Sequence, residues 1–501
     1  MINIIYGRIN MKINKIQNGI MCVLLFLIVL CIFLNPLSVL DEVWNFQNIV
    51  KMCNGFKIYS ESNVIITPIF FYLGKVVLKL FGITAATFRV YGLLIYIILF
   101  ILIYLTLKNL KIKKSIRIIY VALIYEFMFP VLTCGANYNT LAILMVFLGL
   151  NLYISQKSNN FIQGILIFLI FFTKQNIGII YALIVVIYEL FLDLFSKKFI
   201  INQLKKFSIF IILLFCNVIY MKLKGNLIDC INYTIGGLFD FGTSNFIIAA
   251  PGYYWILTIS VITIYIGIVL KKDTLFVQVI NENVFKNLTL LFIFSIGITF
   301  IIFPIINQGH FTLVVPFYFI FLFYLFNQIF IEDIFGDEKY NNNIKWITIL
   351  LLCIVLIRCG IEITTYYNEV SFVMDKESKF YGINLYKANI EKFGNIKNYI
   401  IEKNSEGIDV IVCSYEAAMV MIDLNQSHGA YDLPFNGNLG YDGVNRMKQD
   451  ILSKKNTEFL IFTDERDMFW QESKEIRDCI INNLNYVGDI ENYSIYSTEE
   501  K

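Results

Sequence analysis

The sequence predicts an α-helical polytopic membrane protein that crosses the bilayer about eleven times and carries a small α/β domain at its C-terminal end. Of the 501 residues, 57% are apolar and only 16% are charged, whereas soluble domains average about 25% charged residues. Long apolar runs recur over the first 365 residues. Beyond residue 365 the sequence pattern changes and predicts polar helices that alternate with short apolar strands.

The individual spans follow from the thickness of the hydrocarbon core, which is roughly 30 Å and needs about 20 apolar helical residues. The first predicted span, 20–36, follows a basic cytoplasmic leader at 1–19, and the many later runs favour an uncleaved anchor over a signal peptide. The other spans are predicted near 88–107, 117–134, 140–155, 161–174, 176–195, 207–222, 253–270, 288–306, 311–330 and 346–364. Residues 20–365 therefore form a membrane domain.

Basic residues predict the orientation of these spans. They cluster at 108–117, 197–206 and 271–272, where an N-terminus in the cytoplasm places internal loops. The loop at 37–87 and the domain at 366–501 are then extracytoplasmic, and the protein is predicted to reside in the cell membrane. The loop at 331–345 is acidic and departs from the rule, but we keep it inside on the span count.

Charge and cysteine usage exclude several classes of partner. The net charge is +3, and the basic residues form short clusters rather than one stripe, so nucleic acid is not expected. The ten cysteines include no Cys-x-x-Cys pair, and several lie inside apolar runs. Neither a zinc site nor a disulfide framework is indicated.

The C-terminal domain is predicted to contain strands at 408–413 and 459–462. Amphipathic helices are predicted at 376–403, 444–455 and 472–485. Its glycine-rich stretch at 428–443 lacks the Lys-Ser/Thr of a phosphate-binding loop. We interpret this stretch as a structured loop that covers an active site. A metal site formed by His428, Asp432 and Asp442 is the less favoured interpretation.

The first external loop carries the residues of greatest chemical interest. Asp41 and Glu42 follow the first span directly. Carboxylates so close to hydrocarbon are costly to desolvate, so a functional role is expected for them. Residues 69–82 are amphipathic and contain two lysines, which is typical of a helix lying in the membrane interface. An alternative for Asp41 is a structural role as the cap of a helix.

This arrangement resembles the GT-C class of membrane glycosyltransferases. The nearest branch, glycosyltransferase family 39-like, contains the protein O-mannosyltransferases and the aminoarabinose transferases that act on lipid A. The positions that carry the resemblance are Asp41, Glu42, Met52, Gly55, Tyr59, Pro68, Phe81, Gly82 and Arg89. The detailed match covers only the first external loop. Relatives often have Lys-Pro-Pro before the interfacial helix, whereas this chain has Ile66-Thr67-Pro68.

The resemblance implies an enzyme that moves a sugar from a polyprenyl-phosphate carrier to a lipid, glycan or protein acceptor at the extracytoplasmic face of the bilayer. Such a reaction needs a general base for the acceptor hydroxyl and positive charge for the departing phosphate. Asp41 is the predicted base, and Glu42 is predicted to position the acceptor or hold a cation. A divalent cation is possible because some relatives use one, but the sequence shows no recognisable set of metal ligands. No other cofactor is expected.

Substrate-binding residues are predicted at Tyr59, Arg89, Lys174 and His310. Because the lysine before the interfacial helix is absent, a phosphate-binding cation must come from elsewhere, and Lys174 lies between two apolar runs. Its alternative is an ordinary lysine that snorkels to the interface. Arg89 is predicted to contact the lipid phosphate, and its alternative is simple anchoring at the interface. His310 is predicted to contact the lipid phosphate or the acceptor, and its alternative is an ordinary hydrogen-bonded histidine at the interface.

Three other functions compete with this hypothesis. An envelope polysaccharide polymerase or ligase would more often place its essential charges in a large loop between later spans. A transporter or lipid flippase would show charges at the bilayer midplane and two related halves, and no repeat is visible. A catalytically inactive relative could serve as a binding module. Richness in Ile, Asn and Lys suggests an AT-rich bacterial genome.

Overall fold

The computed structural model describes most of the chain as two compact units. The described residues are 19, 22–23, 26–27, 29–30, 32–38, 40–132, 135, 137–194, 196–244, 247–248, 252–270, 281–303, 305–306, 308–334, 338–435, 437–464 and 472–499. One unit, here the membrane unit, comprises 1–35, 92–212 and 248–365, and the other, the loop unit, comprises 36–91, 213–247 and 366–501. Most of the predicted leader, much of the first span and residues 335–337 lie outside the described residues.

Helices dominate the chain as far as residue 366. In chain order they are α1 (Asp41–Cys53), α2 (Ile69–Phe81), α3 (Ala85–Asn109), α4 (Lys114–Leu132), α5 (Tyr138–Ile154), α6 (Asn160–Phe171), α7 (Gln175–Asp193), α8 (Lys197–Leu223), α9 (Leu227–Ile231), a π-helical turn (Asn232–Gly236), α10 (Gly237–Ser244), α11 (Gly252–Leu270), α12 (Glu282–Thr299), a short 3₁₀ turn (Phe300–Ile302), α13 (Gln308–Ile334) and α14 (Glu338–Tyr366). Two-residue strands β1 (Ile247–Ile248) and β2 (Ile305–Ile306) interrupt this series.

Each span predicted after the first overlaps a helix, although the span predicted at 288–306 runs past the end of α12 into the 3₁₀ turn and β2. Five of the described helical stretches are long and apolar enough to cross a membrane, at 85–109, 175–193, 197–223, 282–302 and 308–329. The shorter apolar helices are Tyr138–Ile154, Asn160–Phe171 and Tyr254–Leu270. The prediction of an α-helical polytopic membrane protein is therefore confirmed.

Close packing between helices of the membrane unit depends on small residues. A Cβ added at Gly178 of α7 would lie 2.3 Å from the backbone of Phe171 at the end of α6. These two helices are joined by only a few residues, so they must run back along each other at short distance. Aromatic rings fill the wider gaps, as where Phe147 stacks on Phe317 with centroids 4.1 Å apart. Such contacts replace the hydrophobic drive that is missing between helices in lipid.

A polar cluster ties α7 to α8 within the membrane unit. Glu189 accepts hydrogen bonds from Tyr153 at 2.7 Å and from Gln203 at 2.8 Å, and it forms an ion pair with Lys206. Lys206 is completely buried. Because a lone buried charge is costly, each member of the cluster depends on the others.

In the loop unit, α1 is buried around nearly its whole circumference. The next helix, α2, buries Phe70, Phe71 and Leu78 on one face and exposes Leu80 and Phe81 at its end, where 71% and 73% of their surfaces are accessible. The helix predicted over 69–82 is thus confirmed, with the apolar exposure expected of an interfacial helix.

The soluble part, 366–499, is a small α/β assembly. Its elements are β3 (Val370–Phe372), β4 (Asn384–Tyr386), α15 (Lys387–Ser405), β5 (Asp409–Val412), α16 (Ala417–Leu424), a short 3₁₀ turn (Ala430–Asp432), α17 (Gly443–Ser453), β6 (Thr457–Phe462), α18 (Lys474–Asn483), β7 (Asn485–Ile490) and β8 (Tyr493–Ser497). The main sheet has the strand order β5-β6-β8-β7, with β5 parallel to β6 and the other neighbours antiparallel.

The predicted strands and helices of this part are confirmed except at one boundary. Strands 408–413 and 459–462 correspond to β5 and β6. The helix predicted at 376–403 begins only at Lys387, because Asn384–Tyr386 pairs antiparallel with Val370–Phe372 instead. A short strand of this kind depends on a partner strand elsewhere in the chain. The outermost pair, Val370 and Tyr386, is 16 positions apart, and helical periodicity does not reveal such a pairing.

The core of the soluble part predicts its response to mutation. Phe459 of β6 is fully buried in a cluster with Ile411, Met447 and Ile480. Phe459→Ala should destabilise this part by about 3–5 kcal/mol through lost burial and a residual cavity. The measurement is thermal unfolding of the full chain in detergent, with limited proteolysis of the soluble part. Tyr486→Ala, at a half-exposed position on β7, is the control; equal losses in both variants would contradict this packing.

Candidate active site

The two carboxylates of the acidic pair in the first loop lie in different environments, although they are adjacent on α1. Glu42 points into the loop unit, where Arg89 Nε donates to Oε1 at 2.8 Å and an Arg89 terminal nitrogen donates to Oε2 at 3.1 Å. The Ser38 backbone N–H also donates to Oε2 at 3.1 Å. Both charged side chains are only 2% exposed. Glu42 therefore anchors the start of α1 to α3.

Asp41, one residue earlier, is exposed. Successive helical residues are rotated by about 100°, so the neighbour of a buried carboxylate faces another direction. Leu40 rather than Asp41 occupies the N-cap position of α1, and no side-chain capping hydrogen bond is formed there. The structure therefore does not support the helix-cap alternative for Asp41, whose carboxylate sits at the surface of the loop unit.

Two predicted substrate-binding residues are held inside the loop unit. Tyr59 has a positive φ of 75° and is 1% exposed. Its hydroxyl donates to the Ile66 carbonyl at 3.0 Å, and burial raises its pKa well above the usual range. Arg89 is engaged by Glu42, as described above. In this structure Tyr59 closes the 59–66 turn and Arg89 orders α1.

The soluble part contacts the first loop through the stretch that was predicted to be a structured loop. Lys51 of α1 forms a buried ion pair with Asp432. Asn63 donates to the Leu433 carbonyl at 2.9 Å, and the Ser427 hydroxyl donates to the Glu61 carbonyl at 2.8 Å. Residues 427–433 therefore pack directly on the loop that follows α1.

Sequence reasoning missed Lys51. The signal available was a lysine in a helix otherwise rich in apolar and amide side chains. Nothing in the sequence could name its partner, because Asp432 lies 381 positions further along the chain. Burial lowers the pKa of Lys51 to about 7, against the opposing effect of Glu61.

His428 lies in the same neighbourhood and forms no ion pair with any described residue. Burial lowers its pKa to about 4, with Asp409 acting in the opposite direction and Lys51 and Lys454 reinforcing the shift. Its buried Nδ1 atom has no hydrogen-bond partner in the described part of the chain. The imidazole is therefore neutral at physiological pH.

The metal interpretation of this region gains no support. No group of three or more His, Cys, Asp or Glu side chains with metal-binding geometry occurs within the described residues. Asp432 is engaged by Lys51, and Asp442 accepts from Asn445 at 2.7 Å. Glu42 is likewise occupied, by a guanidinium and a backbone N–H rather than a metal.

In the membrane unit, two other predicted residues come together. Lys174 occupies the N-cap position of α7, hydrogen bonds to Asn139 Oδ1 and lies 5.4 Å above the centre of the Tyr138 ring. His310, in the first turn of α13, is close enough to interact electrostatically with Lys174. Residues up to 172 positions apart in sequence, Tyr138 and His310, thus belong to one polar cluster at helix ends, with Lys174 as its cation.

Comparisons with known proteins identify the fold. No protein-family model and no curated protein matches the chain. Among solved structures, it is similar to the crystal structure of ArnT from Cupriavidus metallidurans in the apo state, with a TM-score of 0.56 and 11% sequence identity over 97% of this chain and 98% of that one. The chain therefore has the GT-C membrane fold, as the resemblance predicted.

The Glu42–Arg89 pair predicts non-additive mutational effects. Glu42→Gln and Arg89→Met should each cost about 3–5 kcal/mol because each leaves a buried charge unpaired. The double variant should cost less than the sum of the two, as measured by thermal unfolding in detergent. The surface pair Lys403–Glu406, in which Glu406 is exposed and Lys403 half-buried, supplies the control cycle, where coupling below about 0.5 kcal/mol is expected. Additive losses at positions 42 and 89 would contradict the buried pair.

The lowered pKa of His428 predicts acid sensitivity. Its pKa is about 4 in the fold, below the ordinary 6.5, so the unfolded chain binds more protons between these values and stability falls as the pH drops through that window. His428→Gln should remove this contribution, while all other titrating groups remain. Unfolding midpoints at pH 7.5 and pH 4.5 measure the difference. An identical acid-induced loss in both proteins would contradict the burial of the imidazole.

Proposed function

We propose that this chain, which has the GT-C fold, is a glycosyltransferase that moves a sugar from a polyprenyl-phosphate carrier to an acceptor at the extracytoplasmic membrane face. The fold similarity supports the class of reaction, and the accessible carboxylate of Asp41 on a rigidly held helix is the observation that carries the proposal. The acceptor belongs to the lipid, glycan or protein components of the cell envelope.

The proposed chemistry is an inverting displacement. An acceptor hydroxyl oxygen attacks the anomeric carbon and forms the new C–O bond. The bond from that carbon to the phosphate oxygen breaks, and the polyprenyl phosphate leaves with the electron pair. Asp41 takes the hydroxyl proton as general base. Its exposure suits this role because a base must reach a proton on a bound substrate.

Glu42 and Arg89 are proposed to position the base without contacting the reacting atoms. Their bidentate pair fixes the first turn of α1, one residue from Asp41. A buried pair of this kind resists rotation because any departure leaves charges desolvated and unpaired. The helix therefore presents Asp41 in a single orientation, which lowers the entropic cost of reaching the reactive geometry.

The Lys174 cluster is proposed to bind the lipid-linked phosphate. A lysine at a helix N-terminus adds its own charge to the positive end of the helix dipole, and anions bind readily at such positions. Asn139 and Tyr138 hold the ammonium group in place, while His310 supplies a further polar group. This arrangement offers the positive charge that the leaving group needs and that the missing Lys-Pro-Pro does not supply.

Some of the enzymes that the chain resembles use a divalent cation. Within the described residues no group of three or more His, Cys, Asp or Glu side chains could hold one, and both oxygens of Glu42 accept hydrogen bonds from protein donors.

The decisive variant is Asp41→Asn, which preserves shape and removes basicity. We expect at least a 100-fold loss of sugar transfer, the typical contribution of a general base, with unchanged membrane insertion and unfolding midpoint. Transfer is followed by mass spectrometry of lipid-linked sugars and envelope glycans in cells expressing either form. Asp375→Asn, the same change at an exposed position of the soluble part, is the control. Full activity of Asp41→Asn would exclude this residue as the base.

A further inference from the structure

A groove on the surface of the membrane unit lies apart from every residue discussed above as a candidate for catalysis. It runs between the start of α6 and the first half of α8, with a volume of about 680 Å³. Phe161, Ile201, Leu204 and Ile209 form its apolar walls, and Lys205 and Ser208 supply polar groups. Phe161 and Leu204 are 62% and 63% exposed.

The groove is a fixed feature of the helix packing. Asn160 donates to Asn202 at 2.8 Å, which joins the two helices at one point. At a second point, a Cβ added to Gly164 would lie 2.7 Å from the Lys206 carbonyl, so the backbones are in close contact there. Two contacts of this kind hold the walls at a set distance.

The position of the groove along α8 corresponds to the lipid headgroup region. With 27 residues, α8 is about 40 Å long, which exceeds the roughly 30 Å of the hydrocarbon core. An excess of about 10 Å at the N-terminal end corresponds to about seven residues, so Lys197 and Lys198 extend beyond the hydrocarbon and Lys205 and Lys206 lie at its boundary. Ser208 and Ile209 begin its apolar part. The groove spans this transition from polar to apolar surroundings.

The charge of the groove is positive and uncompensated. Lys206 is neutralised by Glu189, but the adjacent Lys205 faces the groove and is exposed. Lys205 forms no ion pair with any described residue, and no carboxylate lines the groove. The lining therefore combines one accessible cation with adjacent apolar walls.

We propose that this groove is a binding site for an anionic phospholipid. The phosphate headgroup lies against Lys205 and Ser208, and an acyl chain lies along Leu204, Ile201 and Phe161. A soluble anion would satisfy the lysine but leave the apolar walls uncovered, whereas a zwitterionic lipid would cover the walls without a net charge for the lysine. Only an anionic amphiphile satisfies both parts of the lining.

The test uses the full chain purified in detergent. Phe161→Trp places a reporter in the wall, and quenching by brominated phosphatidylglycerol is compared with quenching by brominated phosphatidylcholine after subtraction of the parent protein's signal. We expect about a fivefold preference for phosphatidylglycerol, since one basic residue near anionic lipid contributes on that scale. Equal quenching by the two lipids would overturn the proposal.

Further variants locate the preference. Added to the reporter, Lys205→Gln should abolish the preference, whereas Lys198→Gln, the same change at an exposed position of α8, should preserve it. Ser208→Phe should fill the groove and reduce quenching by both lipids, whereas Ile212→Phe, one turn further along the exposed face of α8, should not. A preference that survives Lys205→Gln, or quenching that survives Ser208→Phe, would exclude this site. Displacement of the brominated lipid by millimolar glycerol phosphate would instead identify a site for soluble anions.

Discussion

The buried pair between Glu42 and Arg89 is the constraint on which the first loop depends. Taking either charge out of water alone costs several kcal/mol, so each must keep the other within hydrogen-bond distance. The pair fixes the first turn of α1 against the start of α3. Adjacent residues of a helix are rotated by about 100°. The pairing that buries Glu42 therefore leaves Asp41 at the surface. One member of the acidic dipeptide is thus buried and holds the helix in place, and the other is exposed at the surface.

A second buried pair extends this constraint to the soluble part. Lys51, about two and a half turns after Glu42 on α1, meets Asp432. The side chains of Asn63 and Ser427 donate hydrogen bonds to backbone carbonyls beside this contact. The helix that presents Asp41 is consequently held at both ends by buried ion pairs, and separating either pair would leave uncompensated buried charges. The soluble part contributes one of those charges, so it is a structural component of the first loop.

The membrane unit keeps its polar groups in small, mutually satisfied clusters. Glu189 gathers three donors around one carboxylate, and Lys174 is held by an amide and an aromatic ring. These clusters differ in composition. The Glu189 cluster pairs its cation with an anion, whereas in the Lys174 cluster an amide and an aromatic ring contact a lysine at the N-cap of α7. The position of this cation at a helix N-terminus is the physical basis for proposing that Lys174 binds phosphate.

The sequence by itself determined the membrane helices after the first span, the helix at 69–82 and strands β5 and β6 of the soluble part, because hydrophobic length and periodicity are local properties. It did not reveal β7 and β8, which complete the main sheet. It also singled out Asp41, Glu42 and Lys174, since charges beside long apolar runs are costly and therefore conspicuous. Only the tertiary structure decided their environments. Whether a carboxylate is paired or exposed depends on a partner distant in the chain, as Arg89 is for Glu42 and Asp432 is for Lys51, and no local pattern encodes that partner.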